Sequence, residues 1–109
     1  MTDSLSIIIP ALNEQDNINK LLKGIEESFI DFKNLEVVLV DDGSDVELEN
    51  FIDKQDLKLN LVIVRNSYNL GQSKSIEVGL KNSNSSVIGL IDGDLQNPPD
   101  QLKKLYEFY

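Results

Sequence analysis

Residues 89–102, GLIDGDLQNPPDQL, set two carboxylates, Asp92 and Asp94, two positions apart around Gly93, directly after an apolar run and before Pro98-Pro99. Like charges that close repel in a partly buried cleft, and one is driven to take a proton unless a cation offsets the pair. A divalent ion does this. Mg2+ or Mn2+ takes carboxylate and carbonyl oxygens, keeps some waters and commonly completes its shell with phosphate oxygens. Gln96 adds a neutral oxygen two positions further on. The same residues also read, more plainly, as a solvated acidic turn closed by Pro98. The chain has no cysteine and no histidine, so thiolate and imidazole ligands and the usual general base are absent, and any metal is held by oxygen. Ten Lys plus Arg against nineteen Asp plus Glu give a net charge of −9, with no dense basic run. That balance argues against a nucleic-acid partner. An acidic chain can still bind an anionic diphosphate where a metal bridges the like charges.

The elements that would position this pair are four apolar runs rich in β-branched residues, at 5–9, 36–40, 59–64 and 87–91. Near-continuous apolar character marks strands covered on both faces, despite the lone Glu36. Between the first two runs, Ile18, Leu21, Leu22, Ile25, Phe29 and Phe32 recur at helical spacing and predict a helix over 14–32 with one buried face. Shorter helices are predicted over 46–54, behind the cap-like Ser44 and Asp45, over 70–80, and over 100–108 behind the double proline. A chain of 109 residues is one domain. Alternating strands and helices predict a doubly wound α/β sheet of parallel strands, whose ligands sit beyond the carboxyl ends of the strands where strand order reverses. The apolar runs are strand-length, too short to span a bilayer, and residues 1–4 carry no basic export signal, so a cytoplasmic protein is expected.

Polar residues cluster at these strand ends: PALNE (10–14), DDGSD (41–45), RNSYNLGQS (65–73) and DGDLQ (92–96). Each has a plain alternative. Asn13 and Glu14 suit a helix start, residues 41–44 an ordinary turn and N-cap, and Gly71 a tight turn. Backbone N–H groups of Asn69-Leu70-Gly71-Gln72, and Lys74, could otherwise assist a phosphate. The spacing of a P-loop is missing, as is a G-x-G-x-x-G after the first strand.

In order and spacing, SIIIPALNEQDNI, EVVLVDDGSD, NLGQSKSIEVGL and VIGLIDGDLQNPPDQL resemble the motifs of the N-terminal part of a family 2 glycosyltransferase. The resemblance covers nearly the whole chain, and DGDLQNPP is similar to the branch that moves a sugar from a nucleotide donor to a polyprenyl phosphate, as dolichol-phosphate mannosyltransferases do. It implies a Rossmann-like GT-A fold, a mostly parallel sheet flanked by helices, here truncated. It implies that Pro10, Ala11, Leu12 and Glu14 line the nucleotide pocket and that Asp41 contacts the base. Ile91 and Gly93 flank the nucleotide through their backbones, and the catalytic Asp92 and Asp94, with Gln96, hold Mg2+ or Mn2+ on the diphosphate. Asp42 belongs to the same nucleotide-sugar site, although a turn role suffices for it and for Ser44. Leu12 stands where the family often has an aromatic residue. The resemblance further implies an inverting displacement with a nucleoside-diphosphate sugar as donor and a polyprenyl (dolichyl or undecaprenyl) phosphate as acceptor. That acceptor is already ionised and needs no general base. The acceptor-binding half lies past Tyr109 in the family, so the expectation is a donor-binding fragment, inactive alone, whose intact form associates with the cytoplasmic face of a membrane. Self-association through uncovered apolar surface is a further expectation. A noncatalytic nucleotide-sugar-binding module, and a receiver-type phosphoacceptor domain, are the competing readings.

Overall fold

The computed structural model describes residues 4–32, 34–85 and 87–91; Asp92, Gly93, Asp94 and Gln96, and the helix predicted over 100–108, lie outside them. Strands β1 (Ser4–Ala11), β2 (Asn34–Asp41), β3 (Asn60–Arg65) and β4 (Val87–Leu90) alternate with helices α1 (Ile18–Ser28) and α2 (Gln72–Lys81). The strands form one sheet in the order β3-β2-β1-β4, and every pairing is parallel.

The apolar runs form strands because both faces of the sheet are covered. Ile7, Ile8, Ile9 and Val37 through Val40 are all at 0% exposure. With the strand period of two, Ile7, Ile9, Val37 and Leu39 pack against Ile18, Leu21, Leu22 and Ile25 of α1, while Ile8, Val38 and Val40 pack with Val62, Val64, Ile88 and Val78 of α2. Burying each such side chain contributes about 1.5–3 kcal/mol. Helix α2 lies close to the sheet because of Gly79, where a Cβ would come within 2.4 Å of Ile8 Cγ2.

Three helix predictions shift. Helix α1 begins at Ile18 rather than 14: Asn13 takes a left-handed conformation (φ 55°), and the Glu14 carbonyl closes a turn by accepting the N–H groups of Asn17 and Ile18, both at 2.9 Å. Past Ser28, Phe29 and Phe32 still reach the core as a tilted ring pair 5.6 Å apart. The helix expected over 46–54 is instead two short 3-10 turns, Leu48–Phe51 and Lys54–Asp56. Buried Leu48 and Ile52 anchor this stretch, and the polar face of α1 latches it down. Asn19 donates to the Phe51 carbonyl (2.6 Å) and accepts from Asp53 N–H (2.9 Å), Lys23 donates to the Asp56 carbonyl (2.7 Å), and Glu26 accepts from Lys58 N–H. Helix α2 starts at Gln72 rather than 70, because Gly71 takes φ 97° and ψ 164°, outside the helical region.

Glu36, the charge inside an apolar strand, is buried at the opposite end of the sheet from the predicted site. Its Oε1 accepts from Ser6 Oγ (2.7 Å) and Asn84 N–H (2.9 Å), and its Oε2 from Asn84 Nδ2 (2.9 Å). Burial opposes its ionisation, but the donors from Ser6 and Asn84 outweigh that and hold its carboxyl below the usual value. Among the described residues no helix is long and apolar enough to cross a membrane.

Candidate functional site

Strands β1 to β3 run outward to one side, and β4 returns on the other side of β1. The order therefore reverses between β1 and β4, and this is where a parallel sheet opens a crevice. Residue chemistry explains the opening. Alternate residues of β1 face β4: the Ile8 carbonyl accepts Ile91 N–H at 3.1 Å. At the next such position stands Pro10, which has no N–H to give, so the ladder stops at Ile8 and Leu90. On its other side β1 runs on, with Ala11 in register with Asp41. Pro10 is half-buried, Ala11 buried and Leu12 exposed at the rim, while Ile91 is buried at the end of β4. The chain enters Asp92 from there, and Asp92, Gly93, Asp94 and Gln96 themselves lie outside the described residues. Among the described residues no group of three or more acidic side chains is arranged to hold a metal.

The end of β2 is a node of two buried carboxylates that fold the neighbouring loops around themselves. Asp41 is 1% exposed. Its Oδ1 accepts from Ser44 N–H (3.0 Å), and its Oδ2 from Leu48 N–H (3.0 Å) and Arg65 Nη1 (2.8 Å). The bond from Leu48 N–H ties the start of the first 3-10 turn to the end of β2. Arg65 also donates through Nη2 to the Ser44 carbonyl at 2.9 Å. Asp42 Oδ1 accepts from Asn66 Nδ2 (2.9 Å) and Leu70 N–H (2.8 Å), and its Oδ2 from Gly71 N–H (3.0 Å). Asn66 Nδ2 also reaches Ser75 Oγ of α2 at 3.2 Å. Burial of both carboxylates opposes their ionisation. For Asp41 the hydrogen bonds of Ser44 and Leu48 and the Arg65 charge outweigh it, and for Asp42 those of Leu70, Asn66, Gly71 and Ser75; both stay below the ordinary aspartate value.

Gly43, between the loops, has φ +74°, and a Cβ there would lie 2.5 Å from the Tyr68 carbonyl carbon. The β1 loop joins the same node. Asn13 N–H donates to Ser44 Oγ (2.8 Å), Asn13 Oδ1 accepts from Asp45 N–H (2.9 Å), and Asp42 N–H donates to the Ala11 carbonyl (2.8 Å).

The structure thus brings Pro10, Ala11, Leu12, Asp41, Asp42 and Ser44 to one end of the sheet, with Ile91 beside β1 at the end of β4. Glu14 is set back in a turn, where its Oε1 accepts from Asn17 Nδ2 at 3.1 Å. Ser44 and Asp45 cap no helix; they serve Asn13. The Leu70 and Gly71 N–H groups expected to assist a phosphate are held by the chain's own Asp42, and Lys74 is an exposed partner of Glu77 at 3.4 Å. Sequence reasoning missed Arg65, Asn66 and Ser75. Arg65 and Asn66 lay within the polar strand-end stretch 65–73, of which Arg65 is the one cationic side chain; Ser75 lay outside it and carried no signal.

The sequence profile of Glycosyl transferase family 2 matches residues 6–109. Undecaprenyl-phosphate 4-deoxy-4-formamido-L-arabinose transferase of Pseudomonas fluorescens is 35% identical over 106 residues, 93% of this chain and 31% of that protein. The crystal structure of S. aureus TarS 1-349 with UDP-GlcNAc is 30% identical and superposes with a TM-score of 0.72 over 84% of this chain and 27% of its own. Mannosyltransferase PcManGT from Pyrobaculum calidifontis, solved with GDP-Man and Mn2+, shares the fold at 23% identity, with a TM-score of 0.77 over 86% of this chain and 28% of its own. The chain therefore spans about a third of the length of the relatives it matches. With the parallel GT-A-type sheet, its strand order and a profile that runs through the acidic pair, the chain belongs to glycosyl transferase family 2.

Proposed function

We propose that this chain supplies the donor-binding part of a glycosyltransferase that moves a sugar from a nucleoside-diphosphate sugar to a polyprenyl phosphate with inversion. The observation that carries the donor site is the reversal of strand order: the ladder between β1 and β4 stops at Pro10, and β4 delivers Ile91 to that crevice immediately before Asp92-Gly93-Asp94. The acceptor rests on likeness to a relative named undecaprenyl-phosphate 4-deoxy-4-formamido-L-arabinose transferase.

Pro10, Ala11 and Leu12 form the β1 wall, Ile91 and Gly93 the opposite one, and Glu14 supports the first from its turn. Asp41 and Asp42 shape the base side mainly by fixing its loops, since most of their lone pairs are committed. Asp92, Asp94 and Gln96 offer oxygen atoms only, a donor set that fits Mg2+ or Mn2+. The ion, when bound there, offsets charge on the departing nucleoside diphosphate. A phosphate acceptor arrives ionised, so no side chain of this chain needs to remove its proton.

Calorimetric titration with UDP, GDP and their sugars, with and without Mn2+, tests this reading. Nucleotide binding should need the metal and be lost in Asp94→Ala; metal-independent binding that survives Asp94→Ala refutes the bridge. A receiver domain places β3 beside β1, whereas β2 and β4 flank it here, so that alternative is set aside. A noncatalytic binding module differs from the favoured reading only in turnover, which transfer of labelled sugar to a polyprenyl phosphate by the protein that carries this domain detects.

A further inference from the structure

The loop after β3 is ordered from below and bare on top. Fixing a residue's backbone costs about 1–2 kcal/mol, and here Asp42 offsets that cost by accepting Leu70 and Gly71 N–H while Asn66 and Ser75 complete its surroundings. Gly43 lies directly against the backbone of Tyr68 and Asn69. Yet Ser67, Tyr68, Asn69 and Leu70 are all exposed, Tyr68 at 68%, so this ordering adds little to the core. A loop held rigid by a rigid scaffold while presenting an aromatic side chain has the form of a binding element.

Its place in the fold selects the ligand. Gly43 joins the loop to the end of β2, and Ser44 joins β2 to Asn13, next to the exposed Leu12; the loop therefore borders the strand-end cleft on the side away from β4. A phosphate is disfavoured there, because two N–H groups before α2 already hold a carboxylate and Asp41 and Asp42 repel anions. The uncharged end of a nucleotide suits it, since an aromatic ring stacks on a base whatever its identity.

We infer that Tyr68 contacts the nucleobase of the donor, and that Asn66 and Ser75 are positioning residues that set the Tyr68 loop through the Asp42 carboxylate. The inference rests on the donor-binding reading above. Its test is calorimetric titration of the chain with UDP and with GDP in Mn2+, for wild type, Tyr68→Phe, Tyr68→Ala, Ser75→Ala and the double variant, after circular dichroism shows each to be folded. Tyr68→Ala should weaken binding of both nucleotides about 5- to 150-fold, the range that stacking free energies give, and Tyr68→Phe should restore it to within about twofold. Ser75→Ala should weaken binding in the wild-type background and have no further effect beside Tyr68→Ala, which a purely structural role would not produce. Equal binding by wild type and Tyr68→Ala overturns the inference and leaves the donor site standing. No nucleotide binding by the wild type overturns both, and an undiminished effect of Ser75→Ala beside Tyr68→Ala overturns the positioning role.

Discussion

Substituting Gly43 by alanine tests the packing of the β2 node most directly. An L-residue in the left-handed region costs about 1–2 kcal/mol, and Gly43 sits there with φ +74°. The added Cβ would also lie 2.5 Å from Tyr68 C, 2.6 Å from Asn69 N and 2.8 Å from Tyr68 Cα, well inside the roughly 3.5–4.0 Å of an ordinary carbon contact. All three atoms are backbone, so no rotamer change relieves the clash. The loop must retreat, straining the hydrogen bonds of Leu70 and Gly71 to Asp42, or the overlap is absorbed as packing strain of about 1–3 kcal/mol. The total is a loss of about 2–5 kcal/mol, a large share of the roughly 5–15 kcal/mol that holds a domain together. Gly71→Ala is the control: Gly71 has φ +97° but nothing within 4 Å of its would-be Cβ. With ψ 164° its backbone lies in a region kept almost wholly for glycine, so the variant should lose a conformational part alone, about 1–3 kcal/mol. Both variants gain equally from a stiffer unfolded chain, so that contribution drops out of the comparison. Urea unfolding followed by far-ultraviolet circular dichroism measures both losses, the chain having no tryptophan. A Gly43→Ala loss no larger than the about 1–2 kcal/mol of the left-handed backbone alone refutes the close approach.

Three further predictions use the same measurement. Glu36, Asp41 and Asp42 have lowered carboxyl pKa values, so the unfolded chain takes up protons first as pH falls. Their stabilisation is full above the ordinary carboxylate range near pH 4 and is lost as pH drops through the folded values; Asp41→Asn should make this acid limb shallower, and an unchanged limb refutes the assignment. Arg65→Met should cost about 1–3 kcal/mol, between a surface and a buried pair, because Arg65 is one-third exposed while the Asp41 side chain is at 2%; a loss under about 0.3 kcal/mol refutes it. Gly79→Ala should destabilise despite a helix-propensity gain of about 1 kcal/mol, because the new methyl meets the stiff, buried Ile8. That loss should shrink beside Ile8→Ala, and an equal loss in both backgrounds refutes the contact.

The strands and the polarity of their ends were legible because burial on both faces of a parallel sheet leaves an unbroken apolar run. Ile7, Ile8 and Ile9 announce their own environment. The helix boundaries were not legible. Asn13 and Gly71 take positive φ, which delays the starts of α1 and α2, and Leu48 and Leu70 are tied through their N–H groups to Asp41 and Asp42. The same long-range capture hid the roles of Asn66 and Ser75, which act only once β2, β3 and α2 are assembled. The role of Glu36 was hidden in the same way, since its partners, Ser6 and Asn84, come from 30 and 48 positions away. The residues that resemble donor-site residues were legible by motif, but that Asp41 and Asp42 spend most of their oxygens inside the protein was not.

The Glu36 cage also works as a measuring device. It ties β1, β2 and the turn before β4 at one pole of the sheet, and Asn84 stands only seven residues before Ile91. A parallel strand advances about 3.3 Å per residue, and a slip of one residue exchanges its faces. The starting point of everything that follows Ile91 is thus metered from the far side of the molecule, with Leu5 opposite Val87 as the zero mark. Chemistry at one pole would inherit its alignment from a carboxylate buried at the other.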